Sequence, residues 1–271
     1  MRRLIKLLLT FGLLALASPA RAAIGASGTA AVCTAFNAAS GTVTRTEAAG
    51  NTVVVVAAIR TTTSTVSSVT DTGGSSYSFR ASINNASSAR VEVWSTPAGA
   101  SKSSTSVTIN LSASSKFVGC VFEYTGVAAL GVTNTATSAA ANPAISLTTQ
   151  DNNNWCVAGF AGQGTGTFTA GTGTLRSSAV TSGGAAGSNA GGAFADNTVA
   201  TAGTCTNSVT NADTVWALAA LELRSVLAAR NRVVVISRRI EIPRPPRVSA
   251  QGLRGQAEFS SLKIGGHHGE R

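Results

Sequence analysis

The sequence predicts an all-β protein, an antiparallel, jelly-roll-like β-sandwich of about a dozen short strands. Three observations predict it. Short apolar runs recur through residues 23–224, bounded by Gly, Ser and Asn clusters, the punctuation of strands and turns. No window of that stretch carries apolar residues at the three- and four-residue spacing of a helix face. Val107-Thr-Ile-Asn-Leu111 alternates as a half-buried strand does, and Val53-Val54-Val55-Val56 is apolar on both faces, as in a strand covered on both sides.

Residues 1–22 read as an export leader. Arg2, Arg3 and Lys6 precede a short apolar run, Leu7 to Ala17, and Ala20-Arg21-Ala22 offers a small-x-small cleavage site. The run is shorter than the roughly 20 apolar residues that span a bilayer, and no second one of that length follows, so no membrane span is expected in the mature chain. Expected strands follow near 29–36, 42–47, 52–60, 66–71, 77–81, 90–95, 106–111, 116–124, 144–148, 155–161, 167–172 and 214–223. Residues 162–192, rich in Gly, read as the loosest part. Thr46-Glu-Ala-Ala-Gly-Asn-Thr52 and Thr149-Gln-Asp-Asn-Asn-Asn-Trp155 echo each other, each leading into an apolar strand. The echo fits two similar halves of one sandwich, and equally two unrelated strands with polar turns. Residues 225–271 differ in composition. They hold nine bases against three acids and the extended Pro243-Arg-Pro-Pro-Arg247, and are expected to be a basic, disordered tail.

Charge is informative once divided. The chain has 21 Lys+Arg and 11 Asp+Glu, yet residues 23–224 hold eight of each. A neutral body gives no electrostatic case for nucleic acid. Ser68-Val-Thr-Asp-Thr-Gly-Gly-Ser-Ser-Tyr77, Val91-Glu-Val-Trp94 and Phe122-Glu-Tyr-Thr-Gly126 resemble runs in secreted bacterial β-sandwich surface domains. The resemblance covers residues 27–223. It implies a sandwich fold and a surface or polysaccharide-associated setting, and carries no catalytic residues over.

Residues 23–224 contain no histidine; His267 and His268 both lie in the tail. That removes Ser-His-Asp and Cys-His catalysis and most zinc or copper sites, and no cofactor or metal is expected. Asp71, Asp151, Asp196 and Asp213 are scattered and suit turns better than a calcium site. Cys33, Cys120, Cys156 and Cys205 are an even set in an exported chain, so two disulfides are expected, with three connectivities open. The plain alternative is reduced core cysteine at Cys120 and Cys156.

Carboxylates beside aromatics are the remaining chemistry. Strand alternation puts Arg90, Glu92 and Trp94 on one face. It likewise groups Phe117, Val121 and Glu123, and Trp216, Leu218 and Glu222. If one sheet carries these faces, Trp94 and Trp216 would stack sugars while Arg90, Glu92, Glu123 and Glu222 bond hydroxyls. The plain alternative is core tryptophan and solvated glutamate. The expectation is therefore a secreted or cell-surface, non-catalytic module that binds a polysaccharide or cell-surface polymer, or mediates adhesion. The second is a structural subunit of a surface layer, filament or virion-like assembly. The third is a glycoside-active enzyme using two of Glu92, Glu123 and Glu222. The sequence leaves oligomeric state open.

Overall fold

The structure is a computed structural model that describes residues 23–225, apart from 62, 87, 100, 101, 165, 185 and 186. The leader and all but the first residue of the tail lie outside the described residues. Every described element is a strand, and every pairing is antiparallel. The strands are β1 (Gly25–Glu47), β2 (Thr52–Ile59), β3 (Val66–Asp71), β4 (Ser78–Asn85), β5 (Ala89–Ser95), β6 (Ser104–Thr125), β7 (Val127–Ser138), β8 (Ala144–Thr148), β9 (Asn154–Gly162), β10 (Thr169–Ala170), β11 (Thr174–Val180), β12 (Gly191–Val199), β13 (Thr204–Thr210) and β14 (Trp216–Ser225).

Two expectations need correction. The strands expected at 29–36 and 42–47 are one bent strand, β1, and those at 106–111 and 116–124 are one strand, β6. Register shifts at Ala38/Ser40 and Thr44/Glu47 let β1 follow β6 as it passes from one sheet into a second layer. The strands β7, β11, β12 and β13 were not expected from the sequence. Their side chains are mostly Ala, Thr, Ser, Gly and Asn, which bury well but give little apolar contrast.

The chain is built twice. One large sheet runs β1-β6-β2-β5-β4, and the other runs β7-β14-β9-β12-β11. Beside the first, β3 and the second half of β1 flank the first half of β6; beside the second, β10 and β8 flank β13. Long β1 thus corresponds to β7 plus β8, and long β6 to β13 plus β14. The sequence echo marks the same turn in each half. The left-handed position of that turn is Gly50 (φ 88°) in one and Asn153 (φ 57°) in the other, two residue types that tolerate it.

Four layers need three cores. Val53, Val55, Ala57, Ile59, Phe117 and Val121 pack under the small sheet of the first half. Phe160, Trp216, Leu218, Ala158 and Ala220 pack under β8 and β13 in the second. Val54, Val56, Val91, Val93, Phe122, Phe194, Leu221 and their neighbours fill the space between the two large sheets. That is why β2, β9 and β14 are buried on both faces. Glycines set the central spacing. A Cβ at Gly159 would lie 2.5 Å from Val56 Cγ1, and one at Gly192 2.7 Å from Val118 Cβ. The halves also share polar ties: Tyr124 Oη donates to Asp196 Oδ2 at 2.6 Å, and Asn85 Nδ2 donates to the Trp216 carbonyl at 2.8 Å.

Disulfides join Cys33 to Cys120, across β1 and β6, and Cys156 to Cys205, across β9 and β13. Such bonds persist in oxidising surroundings. No helix among the described residues is long and apolar enough to cross a membrane. Ala23 and Ile24 line one small cleft with Trp155 and Ser225, so the two ends of the described chain meet there.

Candidate functional site

The outer surface of β4 and β5 is where aromatic and polar side chains come together in reach of solvent. On β5, Val91 and Val93 point into the central core, so Arg90, Glu92 and Trp94 take the opposite face. The small sheet of the first half covers part of this face: Glu92 Oε1 accepts the Val66 N–H at 3.0 Å, and one side of Trp94 packs against the core beneath that sheet. Strand β4 is the sheet edge. It carries a bulge between Phe79 and Ala81, so Phe79 pairs with Trp94, Ser82 with Glu92 and Asn84 with Arg90 on that face. Strict alternation would have grouped Phe79 with Ala81 and Ile83, which pack toward the core. That is why this ring escapes a sequence reading.

Phe79 is 49% exposed, the one large apolar side chain so exposed among the described residues. It meets half-buried Trp94 edge to face, with centroids 5.8 Å apart. The indole is fixed, because Trp94 Nε1 donates to Glu92 Oε2 at 3.1 Å. Arg90 is fixed as well: Nε donates to Glu92 Oε1 at 2.6 Å, Nη1 to Asn84 Oδ1 at 2.9 Å and Nη2 to Ser82 Oγ at 3.2 Å. Three of its five N–H donors are thereby used, which leaves two for a ligand. From Trp94 to Arg90 the strip runs about 13 Å along the strand. Chemically it is a ring pair followed by ordered hydrogen-bond donors and acceptors.

The other sequence candidates lie elsewhere. Trp216 is fully buried, edge-on to Phe168 at 5.7 Å, with Nε1 donating to the Asp213 carbonyl at 3.0 Å. Glu222 is fully buried too. Its Oε1 accepts from Gln150 N at 2.6 Å and Asn154 Nδ2 at 2.7 Å, and its Oε2 from Val132 N at 3.1 Å. Both sit on the outer face of the second large sheet, so the structure does not bring them to Trp94. Glu123 shares the sheet of Trp94 but is buried, its Oε2 accepting the Ala48 N–H at 3.0 Å. Glu92 is 2% exposed with both oxygens committed, so it positions Arg90 and Trp94 rather than meeting a ligand itself.

Catalytic pairing of these glutamates does not fit the geometry. Glu92 stands opposite Ala57 and Glu123 opposite Val53, two strands apart and four residues along. Strand dimensions place them about 16 Å apart, beyond the roughly 5–9.5 Å of paired glycosidase carboxylates. The four aspartates hold turns and ties. Asp71 Oδ1 accepts from Ser75 N at 2.9 Å and Asp213 Oδ2 from Gly164 N at 2.8 Å, Asp151 binds Arg224, and Asp196 binds Tyr124 and Arg176. Burial opposes ionisation of Asp71, but hydrogen bonds from Ser75, Tyr77 and Gly74 outweigh it and hold the carboxyl below its usual range. Among the described residues no group of three or more His, Cys, Asp or Glu side chains is placed to hold a metal ion.

The fold and this face define a disulfide-bonded double β-sandwich with an aromatic–polar edge. Comparison with known protein families, curated proteins and solved structures finds no match. Function therefore rests on the geometry of the face.

Proposed function

We propose that the chain is a non-catalytic binding module that holds a polysaccharide of a cell surface along the β4–β5 face. The observation that supports it is the exposed Phe79 ring against the fixed Trp94 indole, continued by Arg90, Ser82 and Asn84. A sugar presents C–H faces that stack on rings and hydroxyls that pair with planar, preorganised donors. Export to an oxidising compartment, outside the cytoplasm or on the cell surface, is supported by the leader at residues 1–22 and by both disulfides.

The test is binding of the purified chain to a panel of soluble and insoluble polysaccharides, with Phe79→Ala and Trp94→Ala alongside. We expect saturable binding to at least one glycan, weakened about tenfold or more in each variant, which corresponds to roughly 1.4 kcal/mol. Unchanged binding in both variants, or no glycan bound by folded protein, would sink this reading. The second reading, a subunit of a surface assembly, is favoured by one observation. Among the described residues the 12-residue strand β7 pairs on one side only, with β14, and such an edge can take a further strand. Concentration-dependent assembly in light scattering, with no glycan bound, would favour it.

A further inference from the structure

The two halves carry corresponding grooves between the edge of the large sheet and the small sheet, and they differ in the charge they hold. In the second half the groove is lined by Val132, Thr133, Asn134, Ser146, Leu147 and Thr204, among others. Behind that lining, fully buried Glu222 has both oxygens saturated by three N–H donors. In the first half the groove holds about 770 Å³ and is lined by Ser27, Thr46, Glu47, Ser104 and Glu123, among others. Glu123 is the counterpart of Glu222, since each accepts a backbone N–H from the corresponding turn, Ala48 or Gln150. Counting back from that match, on the strand side of a turn that is one residue longer in the second half, Arg45 and Glu47 stand where the second half has Leu147 and Thr149. The first half has therefore introduced an acid at a strand end where the other half has a neutral residue.

That acid is incompletely satisfied. Glu47 is 1% exposed. Its Oε2 accepts from Ser104 Oγ at 3.0 Å and Tyr77 Oη at 3.4 Å, while Oε1 has no hydrogen-bond partner among the described residues. Beside it, Glu123 Oε1 has its nearest cation, Arg45 Nη2, at 3.9 Å, beyond hydrogen-bond reach. A buried carboxylate oxygen left open is costly and in native proteins has a reason.

We propose that this groove is a second binding site, taking a ligand's primary ammonium group between Glu47 Oε1 and Glu123 Oε1. An ammonium brings one positive charge and three donors in a compact head. It suits two acids accompanied by one guanidinium better than a neutral hydroxyl does. A divalent metal is disfavoured because among the described residues no set of three His, Cys, Asp or Glu side chains is placed to hold one. Burial chiefly, with Asp71 and Glu123 adding like charge against the pull of Ser104 and Arg45, pushes the Glu47 carboxyl up to about 7. The charged form that pairs with an ammonium thus accumulates as pH rises through neutrality. Tyr77, pushed up by burial and by both neighbouring acids, stays neutral throughout, and Arg45 keeps its charge.

The experiment is calorimetric or NMR titration of the purified chain with putrescine and D-glucosamine, with N-acetylglucosamine as the neutral control, between pH 6 and 8. We expect saturable amine binding that falls toward tenfold per unit below the Glu47 midpoint; for putrescine it is strongest at pH 8, and for glucosamine, whose own ammonium loses its proton in this range, it peaks nearer neutrality. Glu47→Gln and Glu123→Gln, each checked for a cooperative melt so that either folded variant suffices, should weaken it at least tenfold, and Glu47→Gln should flatten its pH dependence. Binding of both amines marks the ammonium itself as the determinant, and glucosamine alone marks an amino sugar. Phe79→Ala separates the sites: it should weaken polysaccharide capture and leave amine binding intact. Absence of amine binding, equal binding of N-acetylglucosamine, or full affinity in the folded variants would overturn the proposal.

Discussion

Single residues here carry more than their neighbours in sequence suggest. Glu47 sits at a strand end in the echoed turn segment, which signals no chemistry, and only the fold brings Tyr77, Ser104, Asp71 and Glu123 to it. Its raised carboxyl has a consequence for stability. Below about pH 4.5 folded and unfolded chains both hold the proton, and the residue costs nothing. Between there and about 7 the folded state keeps a proton that the unfolded state releases, so stability falls as pH rises, and above that window the full cost is present. The cost amounts to about 3 kcal/mol from a shift of this size. Glu47→Gln should therefore melt at nearly the same temperature at pH 5 and pH 8, whereas the parent melts lower at pH 8. Parallel curves for the two would remove the residue from any role in pH dependence. Trp94 teaches a complementary lesson. Its face was legible from alternation, but its partner Phe79 was hidden by a one-residue bulge, a backbone feature that leaves no residue-type signature.

Among the elements, those that the sequence announced share one property. β2, β5 and β14 carry Val, Ile, Leu or Trp against polar flanks, so their faces could be assigned before any coordinates. β12 and β13 bury Gly, Ala and Asn beside single larger side chains, under a neighbouring layer, and β7 is a polar edge strand in which only Val127 is buried. Likewise, the exposed or buried fate of Trp216 depended on a third layer, β8 and β13, that local pattern does not reveal. The even cysteine count was readable, but the pairing required knowing which strands adjoin. The two bonds do different work. Cys33–Cys120 links neighbours within one sheet, and Cys156–Cys205 links two layers through a core. With separations of 87 and 49 residues, each restricts the unfolded chain by about 4 kcal/mol on the loop-entropy account. In urea unfolding, Cys156→Ala with Cys205→Ala should lose more than Cys33→Ala with Cys120→Ala, because it also leaves a void between layers. Equal losses would show that loop closure alone sets the effect.

At the scale of the whole molecule, duplication explains the layer count. One half alone would leave a broad apolar sheet face open, and the second half covers it with Gly159 and Gly192 at the closest approach. It also leaves each half free to differ away from that shared core, and the aromatic strip and the buried, open carboxylate both belong to the first half.

Ala23 and Ser225 meet at one cleft, and Gly126 alone separates β6 from β7. The chain's order is thus partly a matter of where it was cut. Joining residue 225 to residue 23 through a short linker and opening the backbone at Gly126 gives a permuted protein that reads second half first, with no strand asked to move. Such a permutant should form the same two disulfides and melt cooperatively within a few degrees of the parent, because its contacts are the same and only the loop entropies change. The linear sequence would then be one of two equivalent ways of writing a molecule whose architecture is closed on itself.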